Sequence, residues 1–192
     1  MSDPLEARRA FLREIGKLRG VERASTVPGL GRHENSAEHS WHLAMYALVL
    51  AADAPPDVDI DRVIRMLLIH DIVEIDAGDA PLHGGGDDAA QAEAEARAAD
   101  RLFGILPTDQ GAALHALWTE FEAGETVDAR FARALDRAQP VELNLEENGG
   151  SWAAYDVSEG QIEARVLSKV QRGYPALAER LRGAVRAYFA RS

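Results

Sequence analysis

An all-α fold is what this sequence predicts, and three observations carry the prediction. Apolar residues recur at helical spacing through every long segment. No segment shows strict apolar–polar alternation flanked by hairpin turns. The punctuation is helical, with capping side chains before the apolar-periodic runs and proline or glycine after them. The expectation is a bundle of about six or seven helices with no significant sheet. Residues 1–192 are expected to form a single domain, with a core over about 8–155 and a C-terminal helical segment over about 158–190 packed on it.

Residues 4–19 read as an amphipathic helix with Leu5, Phe11, Leu12, Ile15 and Leu18 on one side. The segment that follows, RGVERASTVPGLGRHENSAEHSW, is rich in Gly, Pro and Ser and reads as loop as far as Asn35. Asn35 is a good N-cap and Glu38 completes a capping box. The helix so opened runs through His39, Trp41, His42, Met45 and Val49 to about Ala52, where Pro55 and Pro56 forbid continuation. A central helix is expected from about Asp59 to Ile75. After Gly78 comes a loop with Pro81, His83 and Gly84–Gly85–Gly86, expected to be mobile at the mouth of a site.

Asp87 or Asp88 caps an alanine-rich helix, AAQAEAEARAADRLFGIL, whose small side chains permit contact with another subunit. Residues 108–123 make a helix with Ala112, Leu114, Leu117, Trp118 and Phe121 inward. Residues 127–147 make the next, striped by Phe131, Ala134, Leu135, Ala138 and Val141, and Pro140 should kink or break it. Trp152 and Tyr155 fall in the loop after NGGS, and a last helix spans about Ser158 to Ala190, interrupted around Gly173–Tyr174–Pro175.

A chain of 192 residues buries roughly 70% of its unfolded surface, enough for a proper core. Its net charge of −11 argues against a duplex-binding surface that works by neutralising phosphates, so no nucleic-acid partner is expected. Cysteine is absent, which removes disulfides, thiolate metal sites and cysteine nucleophiles together and leaves nitrogen and oxygen ligands. The opening MSDPLEARRAFLREIG is charged throughout, and no apolar run approaches the ~18 residues of a membrane span. A soluble, cytoplasmic protein with no membrane partner is expected.

Chemistry concentrates in Met66–Asp79, MLLIHDIVEIDAGD. Burying its hydrophobes drags His70 and Asp71 inward, and a buried carboxylate must be paired, neutralised or bound to a metal. On a helix Glu74 shares a face with His70 and Asp71. His39 and Asp136 are two further ligand-type residues on apolar helix faces. Two histidines and two carboxylates suit one divalent ion: Mn, Fe, Co or Ni, with Zn admitted and Mg least natural beside imidazoles. His42 is expected to support or pack, His33 to lie at the surface or rim, and His115 to be structural.

The order of these motifs, EHS in ENSAEHSW, HD in LLIHDIVEIDAGD and the aspartate of ALDRAQP, resembles the HD-domain metal-dependent phosphohydrolases. More narrowly it is similar to the bacterial 5′-deoxynucleotidases and their eukaryotic relatives, over roughly residues 8–155. The resemblance implies His39, His70, Asp71 and Asp136 as metal ligands, Glu74 and Asp79 as catalytic carboxylates, and Arg23, in KLRGVERAS, as the phosphate-binding arginine. A guanidinium grips phosphate in a bidentate manner that lysine cannot match. Ala24 stands where the bacterial branch has an aromatic after that arginine. The implied reaction is hydrolysis of (deoxy)nucleoside 5′-monophosphates, and related enzymes imply a homodimer. An HD-type phosphodiesterase, a di-iron oxygenase and a non-catalytic nucleotide-binding regulator stand as the alternatives.

Overall fold

The computed structural model describes residues 3–80 and 87–191. The predicted loop through Pro81, His83 and Gly84–Gly86 lies outside them. Helix α1 is Pro4–Ile15, with the Asp3 carboxylate accepting from the Leu5 N–H and Pro4 at the first turn, where its missing N–H costs nothing. Its apolar side is split: Phe11 is buried, but Leu5 and Leu12 face solvent. A 3₁₀ turn, Gly16–Gly20, carries Leu18 into the core.

The segment read as loop contains a small antiparallel hairpin, β1 (Glu22–Thr26) paired with β2 (His33–Asn35). The pairs Glu22–Asn35 and Thr26–His33 enclose unequal lengths of chain, so the ladder is irregular. Three-residue β2 is too short to show a period of two, and the intervening Gly29 and Gly31 both adopt positive φ. The hairpin is the one sheet among the described residues, so the all-α architecture stands.

Helix α2, Ser36–Val49, begins with the predicted capping box between Asn35 and Glu38. It buries Ser36, His39, Ser40, Leu43 and Ala47 and leaves Trp41, Met45, Leu48 and Val49 exposed on the opposite face. Helix α3, Ile60–Ile69, is capped by Asp59. The central helix does not run to Ile75 unbroken. Its last α-type bond is from His70 N–H to the Met66 carbonyl, and His70–Val73 is a 3₁₀ turn leading into short α4, Glu74–Ala77. The cause is local: the His70 ring donates from Nδ1 to the Leu67 carbonyl at 2.9 Å, the acceptor an α-helix would offer to Asp71.

Helix α5 (Asp88–Phe103) is capped by Asp87, and α6 is Thr108–Ala123. In α6 Leu117, Trp118 and Phe121 are buried as expected, whereas Ala112 is exposed. Of the kink or break expected at Pro140, the break is absent: helix α7 is Val127–Glu146, with Pro140 inside it. Proline has no N–H to give the Asp136 carbonyl one turn back, so that carbonyl loses its helical donor. Trp152 is in a helix rather than a loop: α8, Gly150–Ala154, buries it.

The C-terminal segment is α9 (Glu159–Ile162), a π-helical turn (Glu163–Leu167), α10 (Ser168–Gly173) and α11 (Pro175–Phe189). The interruption at Gly173–Tyr174–Pro175 is as predicted; the π turn is not legible in the sequence. Helix α7 is the central member: α2, α3, α6, α10 and α11 all pack against it. Phe131, Leu135 and Ala138 of α7 meet Leu43, Met66, Leu67, Leu167 and Leu181 in one core. No helix of the described residues is long and apolar enough to cross a membrane.

Candidate metal centre

Three elements carry the predicted ligands; His39, His70 and Asp136 cluster, and Asp71 lies beside them against His70. His39 comes from the buried face of α2, His70 and Asp71 from the 3₁₀ turn after α3, and Asp136 from the middle of α7. One ligand atom each from His39, His70 and Asp136 lies within 4.8 Å of the others. His39 Nε2 is 3.1 Å from Asp136 Oδ1, and His70 Nε2 is 3.7 Å from the same oxygen and 2.9 Å from Asp71 Oδ1.

The far side of each imidazole fixes its tautomer. His70 Nδ1 faces the Leu67 carbonyl, which can only accept, so Nδ1 carries the proton. His39 Nδ1 faces Gln139 Oε1 at 3.1 Å. That amide is oriented by its own Nε2, which donates to Glu34 Oε1 at 2.7 Å. Both Nε2 lone pairs therefore point at carboxylate oxygens. His70 Nε2 is buried with no hydrogen-bond partner despite the nearby Asp71 oxygen.

Lone pairs facing carboxylates repel unless a positive charge lies between them, and the choices are a proton or a metal ion. Burial by itself would lower the His70 pKa, but the charge of Asp71 pushes it well above the ordinary imidazole value. Burial would likewise raise Asp71 and Asp136; His70 and then Arg23 bring Asp71 to about 2, and the imidazoles of His39 and His70 beside it hold Asp136 well below the usual range. A cluster that draws in cations, with each imidazole braced from behind by a carbonyl oxygen, fits a divalent ion with N/O ligands.

Beside it lies a second buried group. Arg23, from β1, sits 2.9 Å from Asp71 Oδ2 and 3.8 Å from both Glu74 Oε1 and Asp79 Oδ1, with its Nε 3.7 Å from Glu34 Oε2. Burial disfavours its charge, but these carboxylates more than offset that and raise its pKa. Glu74, at the start of α4, accepts from the Ser36 hydroxyl at 2.6 Å. Burial and then the charge of Asp71 push its carboxyl up to about 9. Burial also raises Asp79, against the pull of Arg23. Arg19 and Arg32, the other arginines near Arg23 in the sequence, are engaged elsewhere, with the Gly16 carbonyl and Glu38 respectively.

Arg23, His70, Asp71, Glu74, Asp79 and Asp136 line a cavity of about 710 Å³, whereas His39 is fully buried and does not. Ala24 and Ser25 line it from β1, Phe121 from α6, Pro140 and Val141 from α7, and Trp152 and Tyr155 from α8 and its end. The sequence pattern that defines the HD domain family matches residues 15–178. The chain belongs to the HD domain family.

As an HD domain it has relatives of named activity. The human protein 5′-deoxynucleotidase HDDC2 is 29% identical over 132 residues, covering 68% of this chain and 63% of its own length. The Xenopus laevis protein of the same name is 30% identical over 141 residues, covering 71% and 67%. This chain thus spans about 63% of the human relative's length. A crystal structure described as a predicted metal-dependent phosphohydrolase from Magnetospirillum magnetotacticum superposes with a TM-score of 0.93 at 47% identity, over 98% of this chain and 94% of that one.

All seven residues singled out in the sequence come together in this HD domain. Four participants carry no such signal there: Glu34, Ser36, Gln139 and Arg137. Gln139 lies three residues after Asp136, so helical spacing could have found it. Glu34 cannot be found that way, because its burial depends on a hairpin the sequence does not announce.

Proposed function

We propose that this chain is a metal-dependent phosphohydrolase that releases phosphate from (deoxy)nucleoside 5′-monophosphates. The observation that carries the reading is the convergence of His39, His70 and Asp136 beside a buried arginine–carboxylate cluster that lines one cavity. In this reading His39, His70, Asp71 and Asp136 hold one divalent ion, with Mn, Fe, Co or Ni favoured by the mixed nitrogen–oxygen set and Zn or Mg as further candidates. Such an ion lowers the pKa of water and offsets charge on phosphoryl oxygens.

The chain's own residues do the rest. Glu74 is the proton acceptor for the attacking water. The Asp71 charge adds to burial in holding its carboxyl high, so a cation held by Asp71 lowers it toward the ionised form. Ser36 fixes the Glu74 carboxylate by its hydroxyl. Asp79, the second catalytic carboxylate, returns a proton to the departing nucleoside oxygen. Arg23 binds the phosphate. Ala24 leaves room where a bulkier neighbour would press on the sugar, so ribose and deoxyribose are both accommodated.

In the same reading the chain is one HD domain over residues 1–192 that acts as a cytoplasmic homodimer. Exposed Ala89, Ala90, Ala92 and Ala96 on α5 supply one small-residue face, and the exposed Trp41, Met45, Leu48 and Val49 of α2 supply a larger apolar one. A monomeric mass by light scattering would remove the dimer.

The test is phosphate release from a panel of deoxy- and ribonucleoside 5′-monophosphates. Metal-stripped protein receives Mn, Co, Ni, Fe, Zn or Mg, with Asp71→Ala as control. Metal-dependent release that is lost in Asp71→Ala is the expected result. No release with any metal, from protein shown to bind one, would overturn the reading.

A further inference from the structure

The cavity has a charge problem. Among the described residues, eight carboxylates line it against His70 and five lysine and arginine side chains, on a chain whose net charge is −11. A phosphate dianion is repelled from such a space unless cations face it. Arg23 is shared among Asp71, Glu74, Asp79 and Glu34. Arg133 is engaged with Glu122 and with the Phe121 and Glu122 carbonyls. Neither brings an uncommitted charge.

The wall formed by α7 and the C-terminal segment carries three further cations. Arg137 follows the ligand-type Asp136, and its Nε lies 3.7 Å from Asp136 Oδ2. That N–H is buried and has no hydrogen-bond partner. Arg165 and Lys169 also line the cavity. They are four residues apart, the spacing that puts two side chains on one helix face. Arg165 belongs to the π-helical turn, a rare geometry that frequently marks functional sites. Lys169 forms no ion pair among the described residues. Burial, then the positive charges of Arg137 and Arg133, lower its pKa. Cations crowding one another at the edge of an acidic cavity are arranged for an anion that bridges them.

The geometry points to Arg137 and Lys169, with Arg165 beside them, as an anion subsite that grips the substrate phosphate from the α7–α10 wall. The subsite rests on the proposed hydrolysis for the identity of its ligand, and its test does not require turnover. The probe is inorganic phosphate, titrated calorimetrically into the Mn-loaded full chain. Lys169 is the position to vary, because it touches none of the presumed metal ligands.

Lys169→Met is expected to weaken phosphate binding about tenfold and Lys169→Glu about a hundredfold, the range for a charge-assisted hydrogen bond that is removed or faces an inverted charge. Lys169→Arg should restore most of the affinity. Mn affinity and the circular dichroism spectrum should match the wild type. Arg172→Glu, which makes the same change in net charge outside the cavity, should bind phosphate normally. Unchanged phosphate affinity in Lys169→Glu overturns the subsite, as does a wild type that binds no phosphate. Weakened binding in the Lys169 variants of a protein that hydrolyses no nucleotide would sustain the subsite while the proposed activity fell. Unaltered binding in a protein that does hydrolyse nucleotides would do the reverse.

Discussion

Gly173 is where the C-terminal segment comes closest to α7, and adding one methyl group there is a severe test of the packing. A Cβ at Gly173 would lie 1.9 Å from the Arg130 carbonyl oxygen, 2.5 Å from its carbon and 2.8 Å from Ala134 Cβ. Ordinary contact starts at 3.4 Å, so α10 must move off α7 by about 1.5 Å or the carbonyl must tilt out of its helix. Neither obstacle is a flexible side chain. Overpacking usually costs about 1–3 kcal/mol, and with backbone on both sides Gly173→Ala belongs at the upper end, about 3 kcal/mol. In a chain of this size each kcal/mol shifts Tm by roughly 2–4 °C, so a fall of about 6–12 °C is expected by thermal circular dichroism. Gly183→Ala is the counterpart. No atom lies within 4 Å of a Cβ there, it sits inside α11, and removing glycine's unfolded-state freedom should stabilise the chain by about 0.4–1 kcal/mol. A Gly173→Ala protein that melts within about 2 °C of wild type would refute the close approach. Because α10 carries Lys169, the same substitution should also weaken phosphate binding.

Three further outcomes bear on the site. Saturating Mn at about a hundredfold excess over Kd should stabilise the protein by about 2.7 kcal/mol, a Tm rise of roughly 5–11 °C by scanning fluorimetry. His39→Ala should abolish that rise, and a full increment in the variant would remove His39 from the ligand set. Gln139→Leu takes away the acceptor behind His39 Nδ1 and the amide that bonds Glu34. Mn affinity by calorimetry should drop about 10–100-fold, and an unchanged value would show that Gln139 does not brace the ligand. Glu74→Gln keeps the shape and the bond from Ser36 but cannot accept a proton. Its kcat should fall by about 10²–10⁴ with nucleotide binding retained, and a kcat near wild type would exclude Glu74 as the base.

The helices are legible in the sequence because their signals are local. The Asn35–Glu38 capping box, the Gly78 stop and the Pro175 restart each depend on residues within one turn, and the structure has all three. His70–Asp71 and Asp136 stand out for a related reason: ionisable groups on faces whose neighbours must be buried require a partner. Two kinds of feature escape such reading. Leu5 and Leu12 carry the right period yet face solvent, because periodicity says which residues share a face and not whether anything covers it. The hairpin β1–β2 and the break after Ile69 are hidden because tertiary contacts and one side-chain hydrogen bond outweigh local propensity.

By itself the sequence determined the all-α class, most helix boundaries and which ionisable groups had to find a partner. The tertiary structure decided what those groups do to one another. His39 and Asp136 are almost a hundred positions apart and only the α2–α7 packing brings them to 3.1 Å. Glu34, Gln139, Arg137 and Lys169 acquire roles only once the hairpin, α7 and α10 close round one cavity. Charge interactions fall off with distance in space, whatever the separation along the chain, so a cluster of buried charges is a property of the fold.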